Sequence, residues 1–202
     1  MDSTAWDARY ADSELVWSAG PNQFVERALA DLPPGRAVDL AAGEGRNAIW
    51  LARRGWQVTA VDFSQVGLDK GRRLAGETAV AWECADATRW SAPEPVDLVV
   101  IAYLQLPADE RSAAVHNGFR ALRAGGTFFL VAHDSTNLAE GTGGPQDPTV
   151  LYTAEDVLAD LAGESFEVVR AERVAREVAA DDGHGGEQRR TAYDALVHLR
   201  RT

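Results

Sequence analysis

Residues 39–62 read DLAAGEGRNAIWLARRGWQVTAVD. The glycine turn at its centre, Gly43-Glu44-Gly45-Arg46-Asn47-Ala48, follows an apolar run and opens a segment with helical spacing. Glycine adopts the left-handed backbone angles of a tight strand-to-helix turn and lets a ligand approach the main chain. The first turn of a helix then offers free N–H groups to an anion. This stretch therefore predicts a strand, a turn and a helix with a nucleotide-type pocket at the turn.

Apolar runs and helical patterns alternate through most of the chain. The patterns predict strands at 37–42, 56–61, 79–84, 96–103 and 127–133, and helices at 46–54, 64–75 and 108–123. Strands that alternate with helices favour a parallel sheet covered on both faces. After a helix predicted at 154–162, two strands at 166–177 and 191–200 follow each other across a glycine-rich loop. Such a pair indicates an antiparallel hairpin.

The composition indicates one domain and argues against a nucleic-acid partner. The chain has 202 residues, of which 46% are hydrophobic, enough for one well-cored domain. Its net charge of −11 argues against nucleic acid, whose binders carry basic faces. No apolar run approaches the roughly 20 residues of a membrane span. The long irregular loop at 134–149 is a candidate functional segment.

Cysteine and histidine usage indicates the compartment and argues against a metal site. Cys84 is the only cysteine, so no internal disulfide forms and a reducing compartment, the cytoplasm, is expected. Cys84 falls in a predicted strand and is expected to be buried there. The four histidines show no ligand spacing, so no metal is expected.

The glycine turn alone does not identify the ligand, because NAD-binding domains have a similar turn. Asp62, at the end of the second predicted strand, suits a ribose diol in either case. Three features favour another cofactor: Asp39 inside the first strand, Asp86 directly after the third, and the antiparallel finish. An NAD-dependent oxidoreductase remains an alternative. It would need a catalytic pair such as tyrosine and lysine, and the only lysine, Lys70, has no such setting.

These residues resemble the class I S-adenosylmethionine-dependent methyltransferases. The family pattern D-L-G-C-G-x-G corresponds to Asp39-Leu-Ala-Ala-Gly43-Glu-Gly45, with Ala41 and Ala42 in place of Gly-Cys. The resemblance covers nearly the whole chain after about residue 20. It implies a Rossmann-like three-layer sandwich whose seven-stranded, mostly parallel sheet ends in the antiparallel hairpin. It also implies S-adenosylmethionine as the cofactor and S-adenosylhomocysteine as its product.

The same resemblance implies a set of cofactor contacts. Asp39 and the 41–45 loop (Ala41, Gly43 and Gly45) would hold the methionine end. Asp62 would bind the ribose hydroxyls, with Phe63 against the adenine. Asp86 would accept from the adenine amino group and the N–H of Ala87 would donate to the ring. Arg46 and Asn47 are expected either to touch the ligand or to hold the helix start.

A longer stretch, GEGRNAIWLARRGWQVTAVDFS (43–64), resembles one branch of small-molecule methyltransferases, the tellurite-resistance and thiopurine type. Residues 6–17 are similar to the N-terminal cap of that branch. This implies a helical cap or lid over residues 1–34 and a Rossmann-like core over 35–202. Trp17 in the cap is either a cofactor contact or a packing residue. The chain is expected to be a monomer or a homodimer.

The acceptor pocket is expected at the ends of the fourth and fifth predicted strands, since ligands of open α/β sheets lie at the carboxyl ends of strands. Tyr103, Gln105, His133 and Asp134 are the candidates. His133 could act as a general base oriented by Asp134, or it could be a histidine that only the backbone satisfies. A soft sulfur, selenium or tellurium acceptor is slightly favoured over a hydroxyl. A domain that binds the cofactor without catalysis is a further alternative.

Overall fold

The computed structural model describes residues 3–12, 20–181 and 187–202. Trp17 and His184 lie outside these ranges, as does part of the expected lid. The described helices are α1 (Ser3–Ala11), α2 (Gln23–Leu29), α3 (Arg46–Arg53), α4 (Gln65–Ala75), α5 (Ala108–Ala121), α6 (Asn137–Glu140) and α7 (Ala154–Asp160). The strands are β1 (Arg36–Leu40), β2 (Gln57–Asp62), β3 (Ala81–Cys84), β4 (Val96–Ala102), β5 (Leu122–His133), β6 (Phe166–Asp181) and β7 (Glu187–Arg201).

The strands form one seven-stranded sheet in the order β3-β2-β1-β4-β5-β7-β6. Strands β1 to β5 pair in parallel. Strand β7 lies between β5 and β6 and runs antiparallel to both. The expected mostly parallel sheet with an antiparallel C-terminal hairpin is therefore confirmed.

Helices cover both faces of the sheet, because the central strands β1, β4 and β5 bury side chains on both sides. On one face, Val115 and Phe119 of α5 and Val157 of α7 pack in one apolar cluster. On the other face, Phe24 of α2 and Leu51 of α3 pack in a second cluster. The architecture is the expected three-layer sandwich.

The C-terminal hairpin is longer than its apolar pattern indicates. Strands β6 and β7 extend to a pairing of Asp181 with Glu187, whereas β5 stops at His133, which pairs with Asp194. Cross-strand contacts such as the ion pair of Arg189 with Glu177 continue along the arm, although its sequence is polar. The two strands therefore project beyond the end of β5.

Part of the N-terminal segment is integral to the fold. The Asn22 side chain accepts from the N–H groups of Phe24 and Val25 and caps α2. Helix α1 packs on α4, where Lys70 Nζ donates to the Tyr10 carbonyl (2.7 Å) and lies 2.9 Å from Glu44 Oε1. The only lysine of the chain thus joins α1 to the glycine turn.

Strand β3 lies at the edge of the sheet, and this changes the environment of its residues. Cys84 is exposed, so the expectation that it is buried is wrong. Trp82 packs inward, and a Cβ added at Gly45 or Gly71 would lie 2.5 or 2.4 Å from its ring. Those two positions therefore admit only glycine.

The described part of the chain contains no helix long and apolar enough to cross a membrane.

Candidate active site

The turn between β1 and α3 has a left-handed backbone at three positions. Ala41, Gly43 and Gly45 have φ values of 63°, 56° and 72°. An L-residue with a Cβ in this region costs roughly 1–2 kcal/mol, a cost that glycine avoids. Ala41 stands where the methyltransferase pattern has glycine, so the departure seen in the sequence is a strained residue in the structure.

Asp39 lies beneath this turn and is 1% exposed. Its Oδ2 accepts from the N–H of Ala48 in the first turn of α3 (2.9 Å). Its Oδ1 is buried and has no hydrogen-bond partner within the described ranges. Burial raises the pKa of Asp39 to about 7, although the Ala48 N–H opposes this shift. The fold therefore leaves one buried carboxylate oxygen unsatisfied below the turn.

Asp62, at the end of β2, supports the turn directly. Its Oδ2 accepts from the Gly43 N–H and its Oδ1 from the Ser64 N–H, both at 2.8 Å. Burial raises the pKa of this carboxyl, and the two N–H groups oppose the shift. Each carboxylate oxygen has a further lone pair, so Asp62 can still accept from a ligand. Phe63, half-buried, follows it.

Asp86 and Ala87 form the turn after β3. Asp86 is exposed, and its Oδ1 accepts from the N–H and the hydroxyl of Thr88 (2.9 and 2.8 Å). Ala87 is buried and its carbonyl accepts from Asn117 Nδ2 (3.0 Å). Asp62 pairs in register with Cys84. The turn after β3 therefore lies beside Asp62, at the carboxyl ends of the two parallel strands.

Arg46 and Asn47 have different surroundings. Asn47 is buried, and its Oδ1 accepts from the Asn22 N–H (2.9 Å), so it holds the start of α2. Arg46 is half-buried; burial lowers its pKa, while the neighbouring Tyr103 and Asp39 raise it. Arg46 is therefore in electrostatic contact with both the turn and the end of β4.

A second polar cluster lies at the ends of β4 and β5, around a buried carboxylate of β7. Asp194 is fully buried. Its Oδ2 accepts from the Tyr103 hydroxyl (3.0 Å) and from Arg176 Nε (2.7 Å). Burial raises the pKa of Asp194, but His133 and Arg176 outweigh this, and the net pKa is below the usual value. Asp194 is therefore a buried anion in this cluster.

His133 lies against this anion. Its Nδ1 is 3.4 Å from Asp194 Oδ1 and is enclosed without a hydrogen bond within the described chain. The loop packs on the imidazole, since a Cβ at Gly144 would lie 3.0 Å from it. The ring is thus held with Nδ1 inward.

Tyr103 and Gln105 shape the same region. Tyr103 has a φ of 60°, and its ring centroid is 4.8 Å from that of His133. Burial raises the pKa of Tyr103 to about 12, so its hydroxyl is a donor at neutral pH. Gln105 accepts from the His133 N–H (2.8 Å) and donates to the Val150 carbonyl (2.6 Å). Strained residues of this kind cluster at functional sites.

The expected pairing of Asp134 with His133 is not found. Asp134 is buried and its Oδ1 accepts from the N–H and the hydroxyl of Thr136 (2.9 and 2.7 Å), which closes a turn. Successive side chains of a strand point to opposite faces, so the residue after His133 is poorly placed to orient it. Asp194 occupies that position instead.

Two residues of this cluster, Asp194 and Arg176, are not among the residues predicted from the sequence. The available signal was TAYDALVHLR (191–200), in which a single aspartate interrupts an apolar strand pattern. A carboxylate in such a strand is buried and requires a partner. Arg176 carried no comparable signal, because it lies in a strand with several charged residues.

A comparison with protein families agrees with this geometry. The family model described as a methyltransferase domain matches residues 37–126. Residues 37–126 thus resemble a methyltransferase domain, and the sheet that contains them has a Rossmann-like fold. The matched residues run from β1 into β5 and include the glycine turn.

Two curated relatives match about the same share of the chain. A demethylmenaquinone methyltransferase of Clavibacter sepedonicus is 37% identical over 127 residues, 60% of this chain and 52% of that protein. A tRNA 5-carboxymethoxyuridine methyltransferase of Escherichia coli K12 is 34% identical over 125 residues, which are 57% of this chain and 48% of that protein. The chain thus spans about half the length of the curated relatives it matches.

Solved structures share the fold over more of the chain. The N-methyltransferase NodS from Bradyrhizobium japonicum, in complex with S-adenosylhomocysteine, superposes with a TM-score of 0.71 at 16% identity over 100% of this chain and 99% of its own. TehB from Haemophilus influenzae superposes with a TM-score of 0.73 at 18% identity, over 90% of this chain and 63% of its own. At these identities the likeness is one of fold, and the tellurite-resistance and thiopurine branch stays a prediction.

We predict that Asp39→Asn flattens the pH dependence of stability in the ligand-free protein. The native carboxyl keeps its proton up to a pKa of about 7, against an ordinary 3.8, so the free energy of unfolding of the wild type should fall as pH rises through this window. With about 1.4 kcal/mol per pKa unit, the fall should be of the order of 2–4 kcal/mol.

Denaturant unfolding at about pH 5, 6 and 7.5 measures this slope. Asp97→Asn is the control: the pKa of Asp97 is lowered by its bond from the Arg36 N–H, so its removal should leave the slope above pH 5 unchanged. Equal slopes for the wild type and Asp39→Asn would show that Asp39 is ionised in the native state.

We also predict that Ala41→Gly stabilises the protein. The substitution relieves the strain of a left-handed alanine, roughly 1–2 kcal/mol. Glycine also raises the conformational entropy of the unfolded chain, which costs about 0.4–1 kcal/mol of stability. The net gain in stability should be about 0.5–1 kcal/mol. A thermal scan should show a melting temperature about 1–4 °C higher. Ala42→Gly, at a position without positive φ, should lower it; a lower value for both variants would contradict the strain.

Proposed function

We propose that this chain transfers the methyl group of S-adenosylmethionine to a small-molecule acceptor. The observation that carries the proposal is the separation of two polar sites along the carboxyl ends of the parallel strands. Around the glycine turn, Asp39 lies near the end of β1, Asp62 ends β2 and Asp86 follows β3. The Asp194 cluster lies at the ends of β4 and β5. One site suits an adenosyl cofactor and the other an acceptor.

The residues at the first site fit S-adenosylmethionine. The unsatisfied Oδ1 of Asp39 suits the cofactor's ammonium group, which would favour the ionised carboxyl. The left-handed turn at 41–45 leaves main chain open to the methionine moiety. Asp62 would accept from the ribose hydroxyls, and Asp86 and the Ala87 N–H would meet the adenine beside Phe63. The bound S-adenosylhomocysteine of NodS supports this choice.

At the second site, His133 is the residue proposed to take a proton from the acceptor. Bound S-adenosylmethionine supplies a methyl group on a positively charged sulfur. The hydroxyl proton that the acceptor loses on methylation would pass to the imidazole of His133. Asp194 holds Nδ1 inward and stabilises the imidazolium that forms. Tyr103, with a pKa raised to about 12, is a poor base in comparison.

This arrangement supports a hydroxyl acceptor over a soft one. A sulfur, selenium or tellurium nucleophile that is ionised near neutral pH needs no base, whereas a hydroxyl does. The buried Asp194 carboxylate, 3.4 Å from His133 Nδ1, supports a base at this position. The preference for a soft acceptor drawn from the sequence resemblance is therefore reversed in the proposal. The acidic chain, of net charge −11, favours a small molecule over the tRNA in one relative's name.

We predict that S-adenosylhomocysteine raises the melting temperature and NAD does not. A ligand at 100 times its dissociation constant stabilises the native state by roughly 2.7 kcal/mol. Asp39→Asn should weaken binding of S-adenosylhomocysteine, because the amide offers the ligand's ammonium no charge. Calorimetry with both ligands checks this. A shift with NAD alone would point to an oxidoreductase.

We predict that His133→Ala lowers turnover of a hydroxyl acceptor roughly a hundredfold or more. S-adenosylhomocysteine binding should be intact. Asp194→Asn should lower kcat less, since it acts through His133.

His116→Ala is the matched control, because His116 Nδ1 contacts the Ser112 carbonyl within α5, away from the cluster. Turnover of this variant should equal that of the wild type. A loss of only a few-fold in the turnover of His133→Ala would favour the soft acceptor again. S-adenosylhomocysteine binding with no turnover of any acceptor would indicate a binding domain.

A further inference from the structure

Lys70 of α4 lies between the glycine turn and helix α1. Its Nζ is 2.9 Å from Glu44 Oε1 of the turn and donates to the Tyr10 carbonyl at the end of α1 (2.7 Å). The Lys70 and Glu44 side chains are only 11% and 2% exposed. Removal of one partner of a buried ion pair leaves an uncompensated charge in the interior. The pair therefore constrains the positions of the turn and of α1 together.

Helix α4 approaches both neighbours closely because two of its residues are glycines. A Cβ added at Gly67 would lie 3.0 Å from the Tyr10 ring and 3.4 Å from the carbonyl carbon of Gly43. A Cβ added at Gly71 would lie 2.9 Å from the carbonyl oxygen of Glu44. Residues four apart share one face of a helix. This face of α4 thus contacts the Tyr10 ring and the backbone of the glycine turn.

Helix α1 makes a second contact, with the residues that follow Asp62. Asp7 Oδ1 accepts from the Ser64 hydroxyl and from the Val66 N–H (3.3 Å). The Ser64 N–H in turn donates to Asp62 Oδ1 (2.8 Å), the carboxylate proposed to bind the ribose. Helix α1 is therefore attached both to the turn and to the end of β2, the two elements that would hold the cofactor.

These contacts hold α1 in place, because the helix itself buries little. Within α1, whose nine residues all lie in the described ranges, Tyr10 is the buried residue. An isolated helix shorter than about 12–15 residues is marginal in water. The docking of α1 therefore depends on Asp7 and Tyr10, and through Lys70 on the position of the glycine turn.

We propose that Lys70 is a positioning residue for the cofactor, which couples the docking of α1 to the geometry of the glycine turn. The proposal rests on the proposed function for the identity of the ligand at the turn. A ligand that fixes the turn where Glu44 meets Lys70 also favours docked α1. By thermodynamic reciprocity, docked α1 raises the affinity for that ligand by the same factor. Lys70 acts through Glu44 and the Tyr10 carbonyl.

Hydrogen exchange of the α1 amides and calorimetry with S-adenosylhomocysteine test this coupling on the full chain. In the wild type we expect the ligand to slow exchange in α1 at least fivefold. Lys70→Met removes the ammonium that joins α1 to the turn. It should weaken S-adenosylhomocysteine binding at least tenfold and make exchange in α1 independent of the ligand. Arg73→Met, which removes an exposed cation of the same helix, should change neither measurement.

A second readout uses the fact that Lys70 is the only lysine of the chain. Acetic anhydride therefore modifies a single lysine side chain, and mass spectrometry follows the rate of this modification. S-adenosylhomocysteine should slow acetylation of Lys70 at least fivefold, because docked α1 and the turn enclose the amine. A lysine with a merely structural role would react at the same rate with and without the ligand.

Two results with Lys70→Met would overturn the proposal. One is binding of S-adenosylhomocysteine with wild-type affinity. The other is weaker binding that still slows exchange in α1, since Lys70 would then only stabilise the fold. If Lys70→Met does not fold, Lys70→Met/Glu44→Gln leaves no charge of this pair buried and carries the same expectations.

The failure of this proposal differs from the failure of the proposed function. A wild type without affinity for S-adenosylhomocysteine would refute the proposed cofactor, and the role of Lys70 with it. A wild type that binds S-adenosylhomocysteine while exchange in α1 and acetylation of Lys70 stay unchanged would refute the role of Lys70 alone.

Discussion

The register of β7 against its two neighbours determines which side chains meet at the acceptor end of the sheet. Asp194 pairs with His133 of β5 on one side and with Val174 of β6 on the other. A slip of one residue would move Asp194 to the opposite face and leave Arg176 and His133 without their carboxylate. The apolar neighbours Ala195 and Val197, both fully buried, oppose such a slip. Core packing and site geometry thus depend on the same pairing.

Burial is costly for a carboxylate, and Asp194, Asp62 and Asp39 differ in how their surroundings offset this cost. Asp194 is surrounded by cationic and hydroxyl donors, so its pKa falls. Asp62 accepts from two N–H groups, which only partly offset burial, and its pKa rises. Asp39 has one N–H donor and a pKa of about 7. The carboxyl of Asp39, whose burial is least compensated, is thus the one proposed to bind the cofactor's ammonium group.

The sequence predicted the glycine turn and a mostly parallel sheet that ends in an antiparallel hairpin, because these follow from local patterns. It did not predict Asp194 beside His133, since that pair depends on the register of strands far apart in the chain. Asp134 was expected to orient His133 because the two are adjacent in the chain, but the side chains of adjacent residues in a strand point to opposite faces. The exposure of Cys84 depends on β3 being an edge strand, which its own sequence does not reveal.

The contacts of the glycine turn link it to the N-terminal segment as well as to the ligand site. Lys70 bonds the end of α1 and the turn residue Glu44 together, and Asn47 binds the residue that caps α2. The glycine turn and the N-terminal helices α1 and α2 are therefore held together by side-chain hydrogen bonds from α4 and α3.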